Sequence, residues 1–267
     1  MNNIYTDRFK DKVIIVTGAT SGIGKETAIR AALEGGKVVL AGRREKLGNE
    51  VVTEIKEKGG NAIFVQADLS KEEDAEKLVK EAVHTYGKID IAINNAGIKG
   101  NPCPIHKLSV DEMDSVINSN FYSVLYCCKH EIKHFLEQHT GGIIINNSSS
   151  AGIIGVPGLP AYNASKHAVN GLTKNLAMDY AQYNIRVNSV NPSSTFTPLL
   201  ENAIELNKKQ SEDPSQKESF VGAKRASLLQ RPSYASEQAA AILFLASEDS
   251  THMTGATVTT DGGFTTY

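Results

Sequence analysis

Short runs of aliphatic residues recur along the chain and alternate with longer stretches of helical periodicity. Most of the runs are continuously apolar, which is typical of strands that are covered by helices on both faces. The predicted strands are KVIIV (12–16), KVVLA (37–41), AIFVQA (62–67), IDIAI (89–93), GIIIN (142–146), IRVNSV (185–190) and ATVTTD (256–261).

Amphipathic helical patterns fill the intervals between these strands. The alternation of strand and helix predicts an α/β protein whose parallel sheet has right-handed crossovers and helices on both faces. No internal repeat or linker divides the chain. The predicted helices are 23–34, 44–58, 71–86, 110–138, 161–182 and 235–247.

Residues 199–232 interrupt this alternation, because they are polar, charged and contain Pro214. One interpretation is a solvated insertion with a helical turn or two. The other is a flap over a binding site, since long irregular loops in compact domains often act as lids. The sequence leaves both interpretations open.

Composition narrows the classes of function. The chain has 267 residues, and its 28 Lys and Arg against 30 Asp and Glu give a net charge of −2, which argues against electrostatic capture of nucleic acid. The apolar runs are strand-sized and the N-terminal segment lacks the apolar core of a secretory signal, so we expect no membrane association. Three cysteines, two of them adjacent, fit a reducing compartment. We therefore expect a cytoplasmic protein.

The first predicted strand leads directly into a glycine-rich turn, Thr17–Gly24, and then into a helix. Gly18 permits a tight turn, Gly22 lets the backbone approach a pyrophosphate, and Gly24 lets the helix pack closely on the strand. The free N–H groups and the positive dipole end of that helix favour phosphate. Glycine turns also end strands in other proteins, but the order of strand, turn and helix favours a dinucleotide site.

The second predicted strand ends at Gly42 and is followed by Arg43 and Arg44. An acidic residue at this point would bind the ribose 2′-hydroxyl of NAD. Gly42 supplies no such carboxylate, and the planar donor fork of Arg43 suits a 2′-phosphate. The alternative is that both arginines are solvated residues of the next helix. We expect NADP(H) as the preferred cofactor, with NAD(H) as the alternative.

A tyrosine and a lysine, Tyr162 and Lys166, lie four residues apart at the start of a helical pattern. Residues at this spacing share a helix face. Because a neighbouring ammonium favours phenolate, we expect it to lower the phenol pKa from its ordinary value of about 10 and to suit Tyr162 for proton transfer. Ser149 follows the strand GIIIN, at the end where a hydroxyl points into the ligand crevice of a parallel sheet.

Together with Asn94–Gly97 after the fourth strand, these motifs resemble the short-chain dehydrogenase/reductase family over essentially the whole chain. The resemblance implies one Rossmann-type, doubly wound domain, residues 1–267, around a seven-stranded parallel sheet. It also implies a homotetramer in which the helices 110–138 and 161–182 form subunit contacts.

The resemblance further implies roles for individual residues. Tyr162 would transfer a proton to or from the substrate oxygen, and Lys166 would lower the Tyr162 pKa and hold the nicotinamide ribose. Ser149 would hydrogen-bond the substrate oxygen, and Asn120 would anchor a water that leads to Lys166. Asp68 would meet the adenine amino group. The cofactor contacts implied are Gly18, Ser21, Gly22, Ile23, Gly24, Arg43, Arg44, Asp68, Asn95, Ala96, Gly97, Tyr162, Lys166, Pro192 and Thr197.

The reaction expected from these residues is reversible hydride transfer between NADP(H) and a secondary alcohol or ketone. The apolar residues 153–159 are expected to wall the substrate pocket, with Ile98, Leu199 and Leu200 on its other sides. Two alternatives belong to other classes. One is an epimerase or dehydratase on the same fold, and the other is a non-catalytic module that senses the dinucleotide.

Two details depart from a simple family match. Ser193 follows Pro192 where the family usually has glycine, and since serine resists positive φ we expect an altered turn there. Residues 130–134 match H-E-x-x-H, which on a helix can bind zinc. No convincing third ligand follows, so we interpret the segment as a solvated helix face, and Cys127 and Cys128 as packed or interfacial thiols rather than nucleophiles.

Overall fold

The computed structural model describes residues 4–201 and 227–266. Its centre is a parallel sheet of seven strands in the order β3-β2-β1-β4-β5-β6-β9, which confirms the predicted doubly wound α/β fold. Two further short strands pair only with each other. The strands are β1 Val13–Thr17, β2 Lys37–Gly42, β3 Asn61–Gln66, β4 Ile91–Asn94, β5 Gly142–Asn147, β6 Ile185–Pro192, β7 Thr195–Phe196, β8 Ser233–Tyr234 and β9 Thr257–Thr260.

The strand order reverses between β1 and β4. The first three strands build outward from β1, and the chain then crosses back to place β4 on the other side of β1. In open parallel sheets the carboxyl ends of the strands at such a reversal frame a ligand crevice. Thr17 ends β1 and Asn94 ends β4, so the motifs that follow these two residues meet at the crevice.

Helices cover both faces of the sheet, because successive side chains of the strands point to opposite sides. Val13 and Ile15 belong to one apolar cluster with residues of α3, α5 and α6. Ile14 and Val16 belong to a second cluster with residues of α1, α2 and α7. The helices are α1 Gly22–Leu33, α2 Glu45–Glu57, α3 Glu72–Tyr86, α4 Val110–Ile117, α5 Ser123–Gln138, α6 Pro160–Tyr180 and α7 Ala235–Leu245.

The prediction of one regular helix over 110–138 is wrong in its middle. Helix α4 ends at Ile117, and a π-helical turn, Asn118–Tyr122, joins it to α5. Apolar residues continue at helical spacing through this region, so the hydrophobic pattern does not reveal the extra residue in the turn. Single π-helical turns within helices occur frequently at functional sites. This one contains the fully buried Asn120.

Residues 202–226 of the predicted flap 199–232 lie outside the described residues. Leu199 and Leu200 at its beginning line the cavity described below. Within the described ranges, every helix is too short or too polar to cross a membrane.

Candidate active site

The glycine-rich turn between β1 and α1 has the backbone that its sequence predicts. Gly18 has a φ of +64°, in the left-handed region that favours glycine. A Cβ on Gly24 would lie 2.5 Å from both the carbonyl oxygen of Gly18 and Nδ2 of Asn95, so glycine alone fits there. Helix α1 begins at Gly22, and its first N–H groups therefore face the crevice with the positive end of the helix dipole.

Thr17 joins this turn to the one after β4, and sequence reasoning gave it no role. Its Oγ1 accepts hydrogen bonds from the backbone N–H groups of Asn95 and Ala96, at 2.9 and 3.1 Å. In return, Asn95 Nδ2 donates to the carbonyl of Thr17 at 3.0 Å. The sequence signal for this role is a hydroxyl residue, Thr17, at the end of an otherwise apolar strand.

The two arginines after β2 differ in their surroundings. Arg44 donates to Oγ1 of Thr20 at 3.2 Å and to Oγ of Ser21 at 2.9 Å, which ties it to the glycine-rich turn. The Arg43 side chain is exposed, and its backbone carbonyl accepts a hydrogen bond from Gln66 at 3.1 Å. Both arginines line the cavity.

Asp68 follows β3 and lies at the same end of the sheet. Its carboxylate accepts hydrogen bonds from the N–H and Oγ of Ser70, at 3.3 and 2.8 Å. Because both donors belong to its own turn, the carboxylate is fixed beside the cavity that it lines.

Ser149, Tyr162 and Lys166 meet where β5 ends and α6 begins. Ser149 Oγ accepts from the N–H of Ala151 at 3.1 Å and donates to the carbonyl of Pro192 at 3.4 Å. Lys166 Nζ donates to the carbonyl of Asn147 at 2.8 Å and lies 5.7 Å from the centre of the Tyr162 ring. The helical spacing thus places the ammonium against the ring face of the tyrosine.

The expected lowering of the Tyr162 pKa is not what the structure gives. Burial raises the pKa of Tyr162 above its ordinary value, and a smaller interaction with the side chain of Ser149 acts in the opposite direction. Burial also lowers the pKa of Lys166 to about 8, because an ammonium without a counter-ion is disfavoured away from water. Desolvation is therefore the leading cause of both pKa shifts.

The π-helical turn brings Asn120 to the centre of this region. Its Nδ2 donates to Oγ of Ser165 at 3.0 Å and to the carbonyl of Ile98 at 2.9 Å. Its Oδ1 accepts from the N–H of Ile98 at 2.7 Å. Asn120 therefore connects the loop after β4 to α6, one residue before Lys166.

Two asparagines that sequence reasoning missed support the same region. Asn147 donates from Nδ2 to Oδ1 of Asn95 at 2.7 Å, while its backbone carbonyl holds Lys166. Asn163 donates to the carbonyls of Ala151 and Ile154, at 3.1 and 2.8 Å, and so shapes the loop before α6. Asn163 directly follows Tyr162, but sequence position alone does not reveal its partners.

The loop after β6 completes the wall. Ser193 does not take a positive φ, and its Oγ donates to the carbonyl of Asp261 at 3.1 Å. Thr197 packs across the glycine-rich turn, with its Cγ2 3.1 Å from where a Cβ on Gly22 would lie. Pro192 and Thr197 both face the cavity, as expected from the family.

One cavity of about 410 Å³ unites these elements, within the range of small-molecule sites. Of the predicted residues, Asn120 and Gly24 lie behind its wall and the others line it. Only Val156 and Leu159 of the expected apolar wall 153–159 reach it. The predicted residues that line it are Gly18, Ser21, Gly22, Ile23, Arg43, Arg44, Asp68, Asn95, Ala96, Gly97, Ser149, Tyr162, Lys166, Pro192 and Thr197.

The shape and donors of this cavity fit a nicotinamide dinucleotide. The glycine-rich turn and the N-terminus of α1 offer N–H donors to phosphates. The glycines of the turn carry no side chains, and Gly18 and Gly24 have no space for any. The other end of the cavity holds a phenol, a hydroxyl and an ammonium. A dinucleotide that spans the cavity would therefore have its phosphates at one end and proton-transferring groups at the other.

The interpretation of residues 130–134 as a solvated helix face is wrong for Glu131. Its side chain is fully buried, because it lies on the face of α5 that also packs Cys128 and Phe135 inward. Burial raises its pKa to about 8, although Asn94 Nδ2 donates to the carboxylate at 3.0 Å. Cys127 and Cys128 are packed thiols, as predicted. The described ranges contain no group of three or more His, Cys, Asp or Glu that could hold a metal.

Comparison with known proteins agrees with this arrangement. The short chain dehydrogenase family model matches residues 12–208. A 3beta-hydroxysteroid dehydrogenase of Mediterraneibacter gnavus is 44% identical over 269 residues, covering 97% of each chain. A cyclohexanol dehydrogenase of an Acinetobacter species is 36% identical over 265 residues, covering 99% of each chain.

A solved structure extends the likeness to three dimensions. The 3-ketoacyl-(acyl-carrier-protein) reductase of Brucella melitensis, complexed with NADH, superposes with a TM-score of 0.83 at 32% identity, covering 96% of this chain and 98% of the other. Sequence, fold and cavity lead to one conclusion. The chain belongs to the short-chain dehydrogenase/reductase family and is an NAD(P)-dependent oxidoreductase.

Proposed function

We propose that this enzyme transfers a hydride reversibly between NADP(H) and a secondary alcohol or ketone carried on a ring. The observation that carries the proposal is the placement of Tyr162, Ser149 and Lys166 in the same cavity as the glycine-rich turn. The cofactor, when bound, supplies or accepts the hydride. The residues of the chain orient the substrate and move the proton.

In this proposal Tyr162 is the general acid and base. Its raised pKa keeps the phenol protonated at neutral pH, which suits donation of a proton to a ketone oxygen. The Ser149 hydroxyl would hydrogen-bond the same oxygen. Lys166 would hold the nicotinamide ribose, and Asn120 would keep Ser165 and the loop at Ile98 in place around it, beside the water path that the family resemblance implies.

The preference for NADP(H) rests on the surroundings of the ribose 2′-position. Gly42 has no carboxylate to repel a phosphate, and the exposed guanidinium of Arg43 lies at the mouth of the cavity. Phosphate suits the bidentate geometry of arginine. Arg44 is engaged with Thr20 and Ser21, so it would support the turn in either cofactor complex.

The ring alcohol is inferred from the names of two relatives together with the cavity. Hydroxysteroid and cyclohexanol dehydrogenases by name act on ring alcohols. Here Val156, Leu159 and Leu200 supply apolar wall to the cavity, which would accept the hydrocarbon part of such a substrate.

Transfer of a label tests the reaction. Ring alcohols deuterated at the carbinol carbon are incubated with NADP⁺ and with NAD⁺, and deuterium is sought in the reduced nicotinamide. Label in the reduced cofactor supports hydride transfer. Conversion of substrate without net reduced nicotinamide would favour an epimerase or dehydratase, and cofactor binding without conversion would favour a sensor.

Substitution of the two arginines tests the cofactor preference. Arg43→Ala should lower kcat/KM for NADPH by about 10- to 100-fold and leave NADH unchanged, because a charge-assisted hydrogen bond contributes roughly 1.5–3 kcal/mol. Arg44→Ala is the matched comparison, and it should weaken both cofactors because it loosens the glycine-rich turn. A wild-type enzyme that prefers NAD(H) would refute the role of Arg43.

A homotetramer is part of the same proposal, with α4, α5 and α6 at subunit contacts. Exposed apolar side chains on this surface favour burial against another copy: Val110, Tyr122 and Met178 are examples. Light scattering coupled to gel filtration should give four times the mass of the chain, and a monomeric mass would contradict it.

A further inference from the structure

Lys99 is a charged residue of the cavity wall that the proposed reaction does not use. Its side chain is half-buried, and burial lowers its pKa below the ordinary lysine value. Among residues 4–201 and 227–266, no carboxylate is close enough to form an ion pair with it. Glu112, whose Oε1 would lie 2.9 Å from a Cβ on the neighbouring Gly100, accepts a hydrogen bond from the N–H of Asn101 at 2.6 Å.

The chain path puts Lys99 at the substrate end of the cavity, which is the end that holds Ser149, Tyr162 and Lys166. Two residues earlier, a Cβ on Gly97 would lie 3.7 Å from Nζ of Lys166. Four residues later, the N–H of Cys103 donates to the carbonyl of Gly158 at 2.8 Å, in the loop that leads to Tyr162. Lys99 thus belongs to a segment that runs from the ammonium of Lys166 to the loop before α6.

We propose that Lys99 selects substrates whose ring carries an anionic group, such as a carboxylate, in addition to the alcohol or ketone. This inference rests on the proposed function and names its substrate class more closely. The ammonium would bind the anion, while Val156, Leu159 and Leu200 contact the hydrocarbon framework. Two residues of chain, on the order of 7 Å when extended, separate Lys99 from Gly97, which lies beside Lys166.

The phosphates of the cofactor are not the anion that this lysine would serve. Arg43 and Arg44 follow β2, which lies on the other side of β1 from β4, and the N-terminus of α1 already offers N–H donors to the phosphates. A half-buried ammonium at the substrate end instead gains a partner when a carboxylated substrate enters, which offsets its loss of hydration.

Matched substrate pairs test the proposal. Cyclohexanols that carry a carboxylate directly, or through one or two methylene groups, are compared with the corresponding neutral carboxamides. For the best-fitting pair, the wild-type enzyme should favour the carboxylate by about tenfold in kcat/KM, and the preference should shrink with added salt because the group is partly solvated. The preference is measured as the ratio of kcat/KM for the carboxylate to kcat/KM for the carboxamide. A general loss of activity in a variant affects both values and leaves this ratio unchanged.

Three variants assign the preference to the residue. Lys99→Met should bring the ratio to about one, and Lys99→Arg should retain it. Lys46→Met, which removes an exposed lysine of α2 away from the substrate end, should leave it unchanged. A wild-type enzyme without preference for any carboxylate, or an unchanged ratio in Lys99→Met, would overturn the proposal. A changed KM for NADPH with an unchanged ratio would assign the lysine to the cofactor instead and overturn it too.

A binding measurement separates this proposal from the hydride transfer itself. Calorimetry with cyclohexanecarboxylate, which has no hydroxyl to oxidise, is carried out on the NADPH-loaded wild-type and Lys99→Met enzymes. Carboxylate binding that is lost in Lys99→Met, without turnover of any alcohol, would support the anion site and refute only the proposed reaction. Turnover of neutral ring alcohols without binding of the carboxylate would refute only the anion site.

Discussion

Two polar clusters lie back to back where β4 and β5 end, and they differ in access to solvent. The cavity cluster consists of Ser149, Tyr162 and Lys166. The sealed cluster consists of Asn94, Glu131 and Asn146, with Cys128 and Thr173 beside them. Alternation along the strands separates the two, since Asn94 and Asn146 point to the sealed side while Asn95 and Asn147 hydrogen-bond to each other at the cavity.

Both clusters contain a group with a shifted pKa, but only one of them has the means to use it. Lys166 and Glu131 each have a pKa of about 8, and burial is the leading cause for both. The cavity cluster lines a space that a substrate can enter, whereas the sealed cluster is closed by α5 and the sheet. A perturbed pKa therefore indicates a functional site only where ligand access accompanies it.

The largest expected difference between the clusters is in turnover. Tyr162→Phe should lower kcat by about 100- to 10,000-fold, the usual contribution of a positioned general acid or base, while cofactor binding is retained. Glu131→Gln is the matched variant of the sealed cluster and should change kcat by less than about threefold, because it touches neither substrate nor cofactor. Steady-state assays with a ring alcohol measure both. Near-normal turnover in Tyr162→Phe would contradict the functional difference between the cavity cluster and the sealed cluster.

The next difference is in stability at high pH. Burial raises the pKa of the Glu131 carboxyl from its ordinary value of 4.5 to about 8, so the native state binds more protons than the unfolded state between these pH values. The free energy of unfolding then falls as pH rises through this window. Glu131→Gln does not titrate, and it should be more stable than the wild type by on the order of 3 kcal/mol above pH 8.

Urea unfolding at pH 5 and pH 8.5 measures this effect, with the difference between the two proteins expected to be small at the lower pH. The pKa values of Cys127 and Cys128 are raised mainly by burial, which both proteins share, and the charge of Glu131 adds to this in the wild type alone. An equal advantage at both pH values would mean that packing rather than ionisation separates the variants.

A smaller gain in the free energy of unfolding is expected from a substitution in the cavity cluster. The ordinary pKa of lysine, 10.5, falls to about 8 for Lys166, so the wild-type enzyme gains stability as pH rises between these values and carries the full cost of a buried ammonium below them. Lys166→Met removes that cost but leaves the carbonyl of Asn147 without its donor. The net gain at pH 7, without cofactor, should be on the order of 2 kcal/mol.

Thermal and urea unfolding at pH 7 and pH 10 check this prediction, and the advantage of Lys166→Met should shrink toward the higher pH. Turnover should be lost in the same variant, which would make the residue a case of stability given up for function. A variant that is less stable than the wild type at pH 7 would show that the ammonium is not penalised in the fold.

Much of this arrangement follows from the sequence, and the exceptions have physical reasons. All seven strands of the large sheet were predictable, most of them because continuous apolar runs bounded by turns leave few alternatives for a segment such as Val13–Thr17, whereas the two-residue strands β7 and β8 were not predicted. The glycine-rich turn was equally readable, since Gly18 and Gly24 are required by φ and by close approach. These features depend on local pattern.

The residues that the sequence did not reveal depend on contacts between distant segments. Glu131 has the polarity of a surface residue, and only the packing of α5 against the sheet shows that it is buried. The Tyr162 pKa was predicted in the wrong direction because the spacing to Lys166 is local, whereas desolvation is set by the whole surrounding fold. Asn163 acts through the backbone of a loop whose path no pattern encodes.

The widened turn at Asn118–Tyr122 has a geometric consequence for the rod formed by α4 and α5. Each residue of an α-helix turns the chain by about 100°, so one residue accommodated in a wider loop rotates everything beyond it by that angle. Helices α4 and α5 can thus pack against different neighbours although the helical backbone continues from one to the other. Removal of a single residue there would swing Asn120 away from Ser165 while leaving helix content almost intact, a change that circular dichroism would miss and activity would register.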